Sequence, residues 1–335
     1  MHNPHRSNNP AARDGTKGQN WYLLAGAVIV MLAVAGIFVY RRGPVVFSAA
    51  YADGIRELHY SDDSRCLYVE QSFSVGGFVL ENNNNVIWTQ PYNGTFLAFT
   101  PDSSKALVRL RPPPPTNERS AQEVDLRRGL KIRDFGTSIV FEEGVFTPDG
   151  RLFATSGYGD VYLHDYPEGS NTQTILGNFN YPLFFNPAGT TLYIMGIDDR
   201  VHALDLATTT VTATIGDPIP HYSYSWPFSR DRIALSNRVR SVSVYTVPAG
   251  TLIIRLPPPE DDVMAVAFAP GGDYLAVGTE HQLFVYECRT WKPILVENRP
   301  THALTFSPNG KWLAHAYNKV LTIWDAHRKL DGLTP

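Results

Sequence analysis

Chemistry in this 335-residue chain would have to come from scattered histidines and carboxylates. Glu57, His59, Glu143 and His302 fall on the predicted first strands of a repeated unit, and His164, His202 and His315 fall on later strands of separate copies. Acid–base catalysis needs such groups to converge within hydrogen-bonding reach of one substrate atom. Four groups spread over distant copies make a sparse site, and each histidine is expected to be packed in a strand or to line a rim. The sequence has no G-x-S-x-G elbow, no H-E-x-x-H pair, no glycine-rich phosphate loop followed by lysine and no C-x-x-C pair. No catalytic, cofactor-binding or metal-ligating residue is therefore assigned, and no cofactor is expected.

The elements that would position any site come from a repeat. An aromatic followed by a turn sequence recurs at Tyr60 (YSDDS), Phe99 (FTPDS), Phe146 (FTPDG), Phe185 (FNPAG), Phe228 (FSRDR), Phe268 (FAPGG) and Phe306 (FSPNG), at intervals of 38–47 residues. A period near 40 residues matches one four-stranded propeller blade. Seven residues after each aromatic stands an apolar residue: Leu67, Ala106, Phe153, Leu192, Leu235, Leu275 and Leu313. Two residues before it stand Leu58, Leu97, Gly144, Leu183, Trp226, Val266 and Leu304. Residues two apart on a strand share a face, so these positions predict one buried side for each inner strand. Asp165, Asp205, Glu287 and Asp325 close predicted third strands, and copies one and two reach that point later, at Thr89 and Asp125.

From Val45 onward the chain resembles seven-bladed propellers of the WD-repeat family and the related YVTN propellers. The motif is worn: Trp324-Asp325 is the one Trp-Asp pair that closes a copy, and no Gly-His precedes an inner strand. The resemblance implies an all-β, seven-bladed β-propeller of four-stranded antiparallel blades at residues 45–335. In such a ring Val45–Ala49 would complete the last blade and cover its open edge. It also implies a protein-interaction platform rather than an enzyme. The alternative is a lactonase- or quinoprotein-like propeller that uses its central channel for catalysis or a small ligand.

Composition agrees with strands and tight turns: 17 Tyr, 17 Phe, 26 Gly and 25 Pro. Net charge is −3, with residues 1–42 net basic and the repeats net acidic, so the repeats carry no basic stripe and nucleic acid is not expected as a partner. Cys66 and Cys288 fall in copies one and six, which are not adjacent in a ring of seven. A disulfide needs Cα atoms within about 7 Å, so both are expected as free thiols.

Residues 1–20 are polar and read as a disordered tail. Trp21–Tyr40 holds no charge over twenty residues, enough for a single-pass transmembrane helix. Trp21, Tyr22 and Tyr40 stand where interfacial aromatics belong, with Arg41 and Arg42 at the headgroups and 41–44 as a short linker. A cleaved signal peptide carries a shorter apolar stretch of about 7–15 residues. Flanking Arg6, Arg13 and Lys17 against Arg41 and Arg42 lean toward a propeller on the extracytoplasmic or lumenal side. Asn93 heads an Asn-Gly-Thr sequon, a glycosylation acceptor in that compartment.

The expected partner-binding face is rich in loops. Asn82–Asn85 and Leu110–Glu123 read as neighbouring second-to-third-strand loops. Pro112, Pro113, Pro114 and Pro115 favour extended polyproline II, either as a docking segment or as a stiff spacer. His221, Tyr222 and Tyr224 enter copy five on the same face and offer an aromatic patch or rim packing.

Overall fold

The computed structural model describes residues 45–51, 54–71, 75–79, 86–90, 94–110, 120–135, 143–157, 159–217, 228–229, 231–236, 241–256 and 261–330. The proposed membrane helix Trp21–Tyr40, with Trp21, Tyr22, Tyr40, Arg41 and Arg42, lies outside these residues. Among the described residues no helix is long and apolar enough to cross a membrane.

The repeat folds through its turn. Ser61, Thr100, Thr147 and Ser307, each one residue after the aromatic, donate a side-chain hydrogen bond to Asp63 (2.6 Å), Asp102 (2.7 Å), Asp149 (2.7 Å) and Asn309 (2.8 Å). The same hydroxyls accept the N–H of Cys66 (2.8 Å), Lys105 (3.1 Å), Leu152 (3.1 Å) and Trp312 (2.8 Å) where the next strand begins. These turns place Ser64, Ser103, Gly150, Gly189, Gly272 and Gly310 at positive φ, which is why the motif so often ends in glycine. Burial opposes ionisation of Asp63 and Asp102, but the bonds from Ser61 and Thr100 and from nearby backbone N–H groups outweigh it and hold both carboxyls below their usual range.

Each turn joins the first two strands of an antiparallel four-stranded sheet, and the described residues form seven such sheets. In chain order they span 55–90, 94–134, 144–175, 179–215, 228–255, 263–297 and 303–325, the last joined by the strand Val45–Ala50. The aromatic ends the first strand and pairs with the expected apolar partner: Tyr60 with Leu67, Phe99 with Ala106, Phe146 with Phe153, Phe185 with Leu192, Phe268 with Leu275 and Phe306 with Leu313. The fifth sheet departs from the expected spacing. There Phe228 pairs with Ile233, and Leu235 pairs with Ser243. Its first turn is two residues shorter, and because two residues restore the same face, Leu235 stays in the core at 1% exposed.

Gly144, the one non-apolar residue in its series, is explained by crowding: a Cβ there would lie 3.2 Å from the Ala154 carbonyl and 3.6 Å from Ala98 Cβ. Leu97 and Leu183 sit at irregularities in the pairing of their first strands.

Third strands close on Asp125, Asp165, Asp205, Glu287 and Asp325. The carboxylates of Asp125, Asp205 and Asp325 accept the backbone N–H groups of Arg127 (2.9 Å), Thr208 (2.8 Å) and Arg328 (3.1 Å). Asp325 thereby caps the short helix Ala326–Leu330. The expectation for the first sheet needs correction. Its third strand is Val75–Val79, Thr89 lies on the fourth strand Val86–Gln90, and Asn82–Asn85 fall between the third and fourth. Gly76 and Gly77 in that third strand and the missing closing acid hid the boundary. Asn82–Asn85 and the 111–119 connection therefore leave opposite ends of their sheets.

The apolar cores lie between sheets. Leu58, Tyr60, Leu67 and Val69 of the first sheet pack against Ala303, Ala314, Leu321 and Ile323 of the seventh. Equivalent layers join the fifth to the sixth and the sixth to the seventh. Val45–Ala50 runs antiparallel to Val320–Asp325, from Val45 opposite Trp324 to Ala50 opposite Val320, and inserts Phe47 into the layer that joins the seventh sheet to the first.

Two outcomes test this architecture. Phe268, 8% exposed between the fifth and sixth sheets, should lose about 3–5 kcal/mol of stability as Phe268→Ala in denaturant unfolding; a loss below about 1 kcal/mol would contradict its place in the core. Deleting residues 43–51 exposes the edge of Val320–Asp325 and should produce concentration-dependent association in sedimentation velocity. A variant that stays monomeric and equally stable would show that the first strand is dispensable.

Candidate functional site

Asn93, Pro112–Pro115, His221, Tyr222 and Tyr224 lie outside the described residues. The strands that flank them fix where they leave the ring. The 111–119 connection joins a second strand to a third, and 216–227 joins a fourth strand to the next first strand. Both kinds of connection emerge at the same end of the sheets. So do 135–143 and 256–262. At the opposite end the connections are the tight motif turns and the third-to-fourth links, short at 126–129, 206–209 and 288–291 and longer at 80–85.

Of the candidate chemical groups, the structure brings Glu57 and His59 together and leaves Glu143 and His302, expected on first strands, just ahead of the first strands of the third and seventh sheets. His59 Nε2 lies 3.1 Å from Glu57 Oε2, and the ring packs on Phe99 at 4.4 Å in the second sheet. Glu70, which the sequence reading missed, is the cross-strand partner of Glu57. It is 3% exposed and accepts the N–H of Phe96 at 2.8 Å. Burial first, and the Glu57 charge second, push its pKa up to about 8, against the Phe96 N–H, Arg56 and Arg109. The clue was available: Glu70 interrupts an apolar second strand, CLYVEQ.

A second missed carboxylate, Glu123, is 1% exposed in the seam between the second and third sheets. It accepts from Tyr166 Oη at 2.6 Å and from Arg133 Nε at 2.5 Å, and lies 3.2 Å from Lys105 Nζ. Burial opposes its charge, but Tyr166, Arg133 and Lys105 hold its pKa below the usual range. A buried carboxylate with three partners is a joint between blades, since removing one partner would strand its charge.

The remaining histidines are packed. Burial lowers His164 to about 4, where Nε2 contacts Thr155 Oγ1 at 3.0 Å. Burial, with Arg299 and Lys329 nearby, lowers His315 to about 3, and its ring meets Trp324 edge-on at 4.5 Å. His302 packs against Tyr317 at 4.6 Å, its pKa lowered by burial against the opposing pull of Glu280. His202 bonds Asp198 at 2.9 Å. Cys66 and Cys288 are both free thiols. Among the described residues no cluster of three or more His, Cys, Asp or Glu could hold a metal ion.

A polar groove of about 810 Å³ opens at the tight-turn end between the fifth and sixth sheets. Ser229, Asp231 and Arg232 line one side; Gly272, Asp273, Glu287 and Arg289 line the other. It lies where the fifth sheet's first turn is two residues shorter than its counterparts.

Comparison with family models matches residues 250–287 to the WD domain, G-beta repeat. The match spans one repeat, from the fourth strand Leu252–Arg255 through the first three strands of the sixth sheet. Together with the four-stranded sheets it supports a WD-repeat propeller. The slot that Trp324 fills before the closing acid holds Val124, His164, Leu204 and Tyr286 in other sheets. Comparison with curated proteins gives no match.

The Glu57–Glu70 pair sets a pH dependence. From about pH 4.5 to about 8 the folded chain holds a proton on Glu70 that the unfolded chain has released, so this group's contribution to stability falls as pH rises through that window. Glu70→Gln keeps an acceptor for Phe96 N–H without the charge. It should match the wild type near pH 5 and exceed it by roughly 2–4 kcal/mol near pH 8.5 in chemical denaturation. A difference that does not vary with pH would refute the assignment.

Proposed function

We propose that this WD-repeat propeller is a protein-interaction platform held at a membrane by residues 21–40. WD-repeat propellers generally bind protein partners and are typically non-enzymatic scaffolds. One observation carries the reading: the long connections at 111–119, 135–143, 216–227 and 256–262 all leave one end of the sheets, while the other end, the 80–85 link apart, is joined by short turns. Rigid strands presenting variable loops at one end is the arrangement in which recognition resides on loops. Pro112–Pro115, His221, Tyr222 and Tyr224 belong to two of those connections.

The charge-free run Trp21–Tyr40 is what supports the tether. The first strand starts at Val45, opposite Trp324, at the tight-turn end. An anchor that stops at Tyr40 would leave residues 41–44 as the linker to that strand. The flanking charges favour an extracytoplasmic or lumenal propeller, where Asn93 would be glycosylated.

Replacing 112–118 and 218–225 with short Gly-Ser links should remove most proximity-labelled partners, at least tenfold, with an unchanged melting temperature. Asp149→Asn and Arg151→Gln, at the opposite end, should leave the partner set intact. Equal labelling by all variants would refute the platform. In alkaline carbonate the full chain should stay with membranes and a variant lacking 21–40 should be released. A full chain that is released equally would remove the tether.

A further inference from the structure

The groove between the fifth and sixth sheets has a local cause and an unmet chemical demand. The shortened turn joins Phe228–Ser229 to Arg232–Ser236 through residues 230 and 231, with Ser229 paired to Arg232. In other copies the hydroxyl at the position of Ser229 donates to an Asp or Asn two residues on and accepts an N–H five residues on. In the shortened turn Asp231 still stands two residues on but lies against Arg232, and the residue five on, Ala234, falls inside the second strand. Ser229 is 6% exposed, and its Oγ has no hydrogen-bond partner. A buried hydroxyl left unpaired costs about 1–3 kcal/mol, so such groups normally meet a partner.

The charges around it choose the kind of partner. Arg232 lies 3.6 Å from Asp231, and Arg289 lies 3.4 Å from Glu287. Both guanidiniums are thus matched by carboxylates one or two residues away along the chain. Asp273, exposed on the facing turn, makes no ion pair among the described residues. Among the described lining residues three carboxylates stand against two guanidiniums, beside an unused hydroxyl, on a surface too polar for an apolar ligand.

We propose that this groove binds a basic side chain, arginine or lysine, carried by a segment of a partner polypeptide. Asp273 supplies the counter-charge and Ser229 Oγ accepts one N–H, once the overlying Gly271-Gly272 turn moves slightly aside. A carboxylate with an added acceptor suits the several donors of a guanidinium or ammonium group. An anion would meet three carboxylates. The site lies at the end opposite the loop-rich face and does not depend on the platform reading.

Saturation-transfer NMR on the full chain in detergent micelles tests this with N-acetyl-argininamide as probe and N-acetyl-norleucinamide and acetate as controls. Expected is saturable transfer to the argininamide alone. Asp273→Asn should weaken it at least fivefold. Ser229→Ala should weaken it about threefold while leaving the melting temperature equal or higher, which separates a binding role from a structural one. The proposal is overturned by transfer that does not saturate, by equal transfer to norleucinamide or acetate, or by unchanged binding in Asp273→Asn.

Discussion

The pairing of Val45–Ala50 with Val320–Asp325 is the constraint on which the ring depends. Every other sheet is built from four consecutive strands, so its hydrogen bonds need only short turns. The last sheet alone borrows a strand from the far end of the chain. Without that strand the seventh sheet would present the backbone of Val320–Asp325 to solvent, and Phe47 would leave the layer that holds the first and seventh sheets together. Because each apolar layer is shared by two sheets, an opening at one seam weakens both neighbours. The long-range pairing thus gives the last sheet the same four strands as its neighbours and covers the edge of Val320–Asp325.

The two ends of the ring follow different rules. At one end the turns are held by side-chain oxygens and left-handed residues, and neighbouring turns also touch: the Asp62 N–H donates to Ser103 Oγ at 3.1 Å, and the Asn309 N–H donates to Ser64 Oγ at 3.0 Å. Such turns tolerate little change in length. The fifth sheet shows the consequence of a change, an unpaired Ser229 hydroxyl beside a groove. At the other end the connections vary freely in length, because no repeated hydrogen-bond pattern fixes them. Variation without cost to the core is the property a recognition surface needs.

Polar groups in the seams mark where blades are joined by more than apolar contact. Glu123 is ionised and surrounded by donors, whereas Glu70 faces Glu57 and retains its proton to higher pH. The two carboxylates have similar burial and opposite electrostatic outcomes. Each accepts a hydrogen bond across its seam, from Tyr166 or from the Phe96 N–H, so the difference lies in the charges of its own sheet: Arg133 and Lys105 around Glu123, and Glu57 opposite Glu70.

The sequence by itself determined the strands and their register. An aromatic at fixed distance from an apolar partner, with Ser or Thr and Asp between them, encodes a local turn whose hydrogen bonds close within seven residues. Phe146–Phe153 and Phe306–Leu313 were legible for that reason. Where the local pattern changed, reading failed: the short turn at Phe228 moved the partner to Ile233, and the weak third strand Val75–Val79 displaced a loop to the wrong end. Tertiary structure alone decided the meeting of Glu57 with Glu70, the triple pairing of Glu123 and the groove beside Ser229. Those contacts join residues on different strands or sheets, and their energies depend on burial and on cross-strand distances that spacing along the chain does not carry.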